Sequence, residues 1–521
     1  MNPSLGYFEI TTTLLFILVI ANFFRINRKS FNTLVPFEWP IIGMLPAVIA
    51  GINRVHDRFV EVHTTVGPTF ILKPPLFSNM SILSSVDPMD MHYIMSTNMQ
   101  NFPKAPLFSK MFDFMGKAWF NCDGDEWKIQ RRVVQALLTN NRFNRFLAKT
   151  SAHKIEKGLI PVLDNAANDG SLLDLQDLFN RLIFDTSCKI ITGYDSCSLS
   201  VELPEIPFSK AIDEAEGAVL LRHAMPETIW KILRWMNVGS EKTLKHAWAI
   251  LDMEIGKFIS MKREELAKEM YDPIKLIRGS EQKAEGADFL SLYLHANGQM
   301  YTSIKIDDKF LRDSILNYML ASRDTTSSSL TWFIWLVMTY PKILNQIREE
   351  LRSVLPSKES EKQYIFKSEE VNNLTYLHAC ISESLRLYPP VPFQLRVPEK
   401  PDILPSGVRV NQDDKIIMSI YAMARMKSIW GEDCSEFKPE RWITEKGSIK
   451  HEPSYKYPVF NDGPRNCLGK EMAFTQTKMV AATIIHNYNL KMVEGHVVEK
   501  NCSIILYMKH GLKVKVSKRW T

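Results

Sequence analysis

Paired cysteines are missing from this chain. Its seven cysteines, Cys122, Cys188, Cys197, Cys380, Cys434, Cys467 and Cys502, are odd in number, scattered and free of any Cys-x-x-Cys spacing. That pattern argues against a disulfide framework or a zinc ribbon and fits a reducing compartment. Charge of one sign is also lacking. The 64 basic and 58 acidic residues leave a net +6, too mild to imply nucleic acid and suited to an anionic membrane face or an acidic partner. No Gly-x-Gly-x-x-Gly follows a strand pattern, so no built-in nicotinamide or flavin domain is expected. There is no internal repeat and no low-complexity tract. What remains is a long polypeptide, 521 residues and 45% hydrophobic, with ample material for a large core.

Residues 10–24 form a nearly uncharged run, followed at once by Arg25, Arg28 and Lys29. Extended upstream it can span a bilayer, and basic residues after the run place the C-terminal side in the cytosol. A cleaved signal peptide is disfavoured, because no basic segment precedes the run and no small-residue cleavage site follows it. The expected organisation is an anchor at 1–29, a stiff proline-containing hinge at 30–46 and a single body at 47–521.

Within the body, 69–73 and 80–85 read as a strand pair about a Pro74-Pro75 turn. Helical periodicity then dominates, with segments at 123–138, 175–192, 208–235, 240–268, 307–340 and 342–355. Residues 269–286 are polar and read as a surface loop. Short strands are expected at 408–410, 415–419, 503–508 and 512–516. Helices in the middle and strands toward the ends make a mainly α fold with small segregated β-sheets.

The organising stretch is Phe460-Asn461-Asp462-Gly463-Pro464-Arg465-Asn466-Cys467-Leu468-Gly469. A lone cysteine is usually a small buried hydrophobe. A phosphate loop fails on spacing, because five residues separate Gly463 from Gly469 and Glu471 stands where Ser or Thr is needed. A thiolate ligand to haem iron explains each fixed position. The start of the following helix favours the negative sulfur. Gly463 and Gly469 let the backbone turn beneath a flat cofactor, Arg465 reaches a propionate, and Phe460 shields the sulfur. With these five positions the loop resembles the haem-binding signature of the cytochrome P-450 superfamily, the haem-thiolate monooxygenases. Asp462 departs from that pattern, adding a carboxylate near the sulfur.

The resemblance spans nearly the whole sequence and implies further roles. Trp127 and Arg131, four apart, would hold a haem propionate, as would Arg396. Ala321-Ser322-Arg323-Asp324-Thr325-Thr326, in the long helix expected at 307–340, matches the oxygen-binding groove, with Asp324 and Thr325 relaying protons and Ser322 replacing the usual glycine. Thr inside a helix often only bonds back to the preceding turn. Glu383 and Arg386, with Arg441 of Phe437-Lys438-Pro439-Glu440-Arg441-Trp442, would form a structural ion network beneath the haem. The implied cofactor is haem b, with electrons from NADPH through a separate flavoprotein reductase in the endoplasmic reticulum membrane. Phrases such as Tyr421-Ala422-Met423-Ala424-Arg425 resemble the plant fatty-acid and alkane hydroxylases, above all midchain alkane hydroxylases; the same branch holds enzymes that couple phenols. Family topology would place Phe108, Met111, Phe112, Met319, Leu320, Val391, Phe393 and Leu506 around a hydrophobic substrate. A hydroperoxide-rearranging relative is disfavoured by retention of Asp324 and Thr325. A haem-based sensor is separated from every enzyme by oxygen consumption with reductase and NADPH.

Overall fold

The computed structural model describes residues 43–44, 51–72, 81–225, 227–271, 288–295, 306–356 and 362–520. The anchor run, most of the hinge, the Pro74-Pro75 turn and nearly all of the 269–286 loop lie outside these residues. Among the described residues no helix is long and apolar enough to cross a membrane.

The molecule is organised on the helix Asp308–Thr339, 32 residues and about 48 Å long at 1.5 Å per residue. Asp307 caps it, its side chain accepting from Phe310 N at 3.0 Å. It stops at Tyr340, whose helical geometry is disfavoured by the following proline. Helix Leu175–Thr192 packs along it, and helices Gly239–Tyr271, Thr375–Leu387 and Lys470–Asn487 complete its cover. Polar side chains survive inside this packing because they bond locally: Thr331 and Ser329 each donate to the carbonyl four residues earlier.

Strands are few and peripheral. The largest sheet joins Thr69–Leu72 (β1), Ile82–Ser85 (β2), Phe393–Arg396 (β4) and Lys415–Ser419 (β7) in the order β1-β2-β7-β4. β2 pairs parallel with β7 and the other two pairings are antiparallel. β4 thus carries Phe393 and Arg396 from the sheet edge to the interior. A second sheet joins Leu173–Asp174 (β3), Tyr488–Met492 (β8) and Lys513–Lys518 (β9) in the order β3-β9-β8. Asp402–Ile403 (β5) and Arg409–Val410 (β6) form a short antiparallel ribbon.

Two sequence expectations fail for backbone reasons. The helix expected at 208–235 is two, Pro207–Ala224 and Glu227–Met236, because Met225, which precedes a proline, is extended (φ −110°, ψ 147°). The strand expected at 503–508 does not form. The backbone of Leu506 instead bonds to Pro390 O and accepts from Ser328 Oγ and Trp332 Nε1 of the long helix.

Beside β2, burial pulls the His63 imidazole down to about 4. Its Nδ1 faces Gly67 O at 3.0 Å and its Nε2 faces Ser84 Oγ at 2.8 Å. Below the ordinary histidine value the unfolded protein binds a proton that the folded protein does not. Stability therefore falls as pH drops from about 6.5 toward 4 and is fully present above that window. The His63 contribution is on the order of 3 kcal/mol at its limit. Urea midpoints at both ends of the window should differ less in His63→Gln than in the parent; an equal difference would place the acid sensitivity elsewhere.

Candidate functional site

A cavity of about 880 Å³ lies between the long helix, β4, loop 460–469 and the irregular segment 502–505. Loop 460–469 is closed by Cys467 N–H donating to Phe460 O at 2.7 Å. The Cys467 side chain is exposed, but to the cavity, whose walls enclose it. Burial pushes its thiol up, while the Gly469 N–H, Arg131 and Lys470 oppose that. Helix Lys470–Asn487 starts immediately beyond, so its unpaired N–H groups favour an anionic sulfur.

Gly463 also has a packing role. Gly463 has φ +66°, and a Cβ there would stand 2.2 Å from Met95 O. Close packing on the π-helical turn Tyr93–Thr97 excludes a side chain there. At Gly469 (φ −88°) a Cβ would meet only Cys467 Sγ, at 3.9 Å. Asp462 is buried, its carboxylate facing His92 Nδ1 at 3.0 Å and accepting from Ser454 Oγ, so it ties the loop to its neighbours instead of addressing the sulfur.

One end of the cavity is crowded with cations. Arg465 lies 4.4 Å and Arg131 5.7 Å from the Trp127 ring. Arg396 is 2% exposed, and its Nη1 donates to Leu395 O at 2.7 Å. Arg131 donates to Asn466 Oδ1, while Arg465 bonds Asp123 and Cys122 O. Among the described residues no ion pair reaches Arg131 or Arg396. Burial, then repulsion from Arg465, pulls Arg396 down to about 9, and burial lowers Lys104, Arg131 and Arg465 too. The buried Arg396 and the partly buried Arg131 and Arg465, set against the Asp123 carboxylate, suit an anion. The residues present fit haem b: Arg131, Arg396 and Arg465 would hold its propionates, and the Cys467 sulfur, in the same cavity, would hold its iron.

On the long helix Thr325 and Ser322 reach the cavity; Asp324 does not. Thr325 Oγ1 donates to Ala321 O at 2.7 Å, the back-bond expected of a helical threonine. Ser322 Oγ lies 2.8 Å from Tyr318 O and 2.9 Å from Ser187 Oγ, and the helix runs on without a break. Asp324 is fully buried, with Oδ1 accepting from Tyr507 O–H at 2.6 Å and from Arg323 Nη1 at 3.0 Å.

The Cytochrome P450 family matches residues 34–516. The protein belongs to the cytochrome P450 family. It is 41% identical over 517 residues to an alkane hydroxylase (MAH1) of Arabidopsis thaliana, with 99% of both sequences covered. It is 43% identical over 510 residues to noroxomaritidine synthase 1 of Narcissus pseudonarcissus, with 96% of this sequence and 95% of that one covered. The fold matches the crystal structure of the cytochrome P450DA heme domain, with a TM-score of 0.75 at 18% identity over 93% of this protein and 97% of that one. The protein is accordingly a monooxygenase whose cofactor is haem and whose electrons come from a redox partner.

Other expected residues of this cytochrome P450 fall in two groups. Phe112, Leu320, Val391 and Phe393 line the cavity with Trp127, Arg131, Arg396, Phe460, Arg465 and Gly469. Met111, Met319 and Leu506 do not: each is at most 2% exposed and packs in a hydrophobic core. A helix turns 100° per residue, so Leu320 facing the cavity carries Met319 away from it. The C-terminal wall is made by Ser503, Ile504 and Ile505, one to three positions before the residue expected. Phe108 belongs to helix Ala105–Met111; its side chain lies outside the described atoms.

Away from the cavity, Glu383 takes two bonds of 2.8 Å from Arg386, one of 2.8 Å from Trp442 Nε1 and a longer one, 3.4 Å, from Arg441 Nε. Lining residues the sequence did not disclose include Glu216, His223 and Trp119. No periodicity distinguishes them, since one polar residue in a helical segment reads as a solvated one.

Proposed function

We propose that this cytochrome P450 inserts one oxygen atom into an internal C–H bond of a long aliphatic substrate, an alkane in preference to a free fatty acid. The supporting observation is the cavity itself. Its wall is mostly apolar and aromatic, and the guanidinium groups of Arg131 and Arg465 converge on the Trp127 ring. Besides these and Arg396, a carboxylate on the substrate would find one further guanidinium in the wall, that of Arg58, already paired with Glu61 at 3.0 Å, whereas each buried methylene contributes about 0.8 kcal/mol and needs no polar partner.

In this reading Cys467 holds the iron, and Trp127, Arg131, Arg396 and Arg465 hold the propionates. Bound haem supplies dioxygen activation and oxygen insertion. The polypeptide does the rest. Phe460, 5.5 Å from Phe474, covers the sulfur side. Phe112, Leu320, Val391 and Phe393 exclude water and orient the substrate. Thr325, its own proton committed to Ala321 O, accepts a hydrogen bond in the cavity. Glu383, Arg386 and Arg441 are structural. We assign residues 1–29 to an endoplasmic reticulum anchor, 30–46 to a hinge and 47–521 to a cytosolic catalytic body. Its electrons come from NADPH through the flavoprotein reductase of the same membrane.

A second reading is oxidation of an aromatic metabolite, such as a phenolic amine. Phe112 and Phe120 meet edge-on at 5.8 Å and Trp119 lies beside them, a wall on which a ring can stack. The two relatives match this protein about equally well. Reconstituted enzyme given a long alkane, the matching fatty acid and a phenolic amine in competition should oxidise the alkane fastest. Turnover of the phenolic amine alone would reject the aliphatic reading.

A further inference from the structure

The long helix places its acid, Asp324, away from the cavity, yet a carboxyl group does open onto it. That group is Glu216, on helix Pro207–Ala224, 6% exposed and part of the cavity wall. Its carboxyl meets the Asp324 carboxyl side chain to side chain. Asp324 Oδ1 is served by Tyr507 and Arg323, but Oδ2 is buried, and among the described residues no N–H or hydroxyl reaches it. An orphaned buried carboxylate oxygen facing a second acid is explained by one proton lying between them.

The charged surroundings say where that proton sits. Arg323 Nη1 bridges Asp324 at 3.0 Å and Asp213 at 2.8 Å, and its Nη2 donates to Ser209 Oγ at 2.8 Å. Asp324 therefore holds the cation and the tyrosine proton. No ion pair reaches Glu216 among the described residues. Burial, then the Asp324 charge, pushes the Glu216 carboxyl well above its ordinary range. Four titratable or charged groups face it: Asp324, Arg323 and Tyr507 from the elements packed against it, and Asp213 from its own helix.

We propose that Glu216 and Asp324 share one proton, held on Glu216, and that Glu216 is the acid that supplies protons to the cavity. Thr325 and Ser322 each have a backbone carbonyl as hydrogen-bond acceptor one turn back, so neither hydroxyl is a free donor. In the step assigned here the Glu216 O–H bond breaks and its proton passes to an acceptor in the cavity. Two carboxylates then face each other, and their repulsion draws a proton back from solvent water on the side of Asp213, whose side chain is 56% exposed. Asp324 acts through Glu216 and is a positioning residue. This rests on the monooxygenase reading above, with its assignment of Thr325 to the cavity.

The test has two arms on the holoenzyme. Infrared spectra at pH 7.5 should show the C=O stretch of a buried protonated carboxyl, absent in Glu216→Gln and retained in Glu216→Asp. This arm needs no substrate, so it stands apart from any failure of the aliphatic reading. In the second arm, turnover with reductase and NADPH is compared on the best substrate of the competition. Glu216→Gln should lower the ratio of product to peroxide by ~10²-fold, within the range of general-acid contributions, with the substrate-binding spectrum unchanged. Glu216→Asp should restore most of that ratio, which a merely structural role would not require. Persistence of the infrared band in Glu216→Gln, or a product-to-peroxide ratio within about twofold of the parent, would overturn the proposal.

Discussion

Replacing Cys467 with alanine should abolish turnover and the thiolate signature of the reduced, carbon monoxide-treated protein, while leaving the polypeptide folded. The two effects separate because the loop is held by main-chain bonds, not by the sulfur. Cys467 N–H bonds to Phe460 O, Asn466 N–H bonds to Gly463 O, and Asp462 is anchored to His92 and Ser454. None of these contacts uses Sγ. The sulfur instead opens into the cavity beside the Gly469 N–H, where it would hold the haem iron. A circular dichroism spectrum like the parent's, with product formation at background, is the expected pair of results. Retention of the thiolate band in Cys467→Ala would move the ligand to another of the seven cysteines.

Arg386→Leu should be strongly destabilising. The guanidinium is 1% exposed and makes two bonds of 2.8 Å to Glu383, with others to Cys434 O at 2.7 Å and Glu436 O at 3.2 Å. Without it, the fully buried Glu383 carboxylate keeps only Trp442 Nε1, Lys438 N and the longer Arg441 contact. Breaking a buried pair by removing one partner costs about 3–5 kcal/mol, against a total stability of about 5–15 kcal/mol for a folded protein. Urea midpoints read the loss. Glu383→Leu with Arg386→Leu should cost less than the sum of the two single changes, because neither charge is then stranded. A loss below about 1 kcal/mol for Arg386→Leu would mean that water reaches the cluster, as it does for exposed pairs.

What the sequence disclosed of this site follows from how locally each feature is encoded. Loop 460–469 is one contiguous pattern, so Cys467, Arg465 and Phe460 could be read together. The Glu383 cluster joins two short motifs 58 residues apart, and each is recognisable alone. Trp127 and Arg131 share a helix face by spacing, and the structure adds Arg465 to the same ring. Where an assignment depended on rotation within a helix or on an irregular segment, it slipped: Leu320 faces the cavity and Met319 does not, and Ile504 and Ile505 stand where Leu506 was expected. Asp324 and Thr325 were read together as a proton relay, but adjacent helical residues point 100° apart, and Thr325 lines the cavity while Asp324 does not. Glu216 was invisible for the opposite reason. Its significance lies in a carboxylate 108 residues away in sequence, and only packing of helix Pro207–Ala224 near the long helix brings the two together.

The most direct measurement of the central claim supplies the enzyme with reductase, NADPH, a long alkane and dioxygen carrying heavy oxygen. The expected product is an internal alcohol bearing one labelled atom, with the second labelled atom in water. An alcohol whose oxygen comes from the solvent, or no oxidation of the alkane while a phenolic amine is consumed, would contradict it.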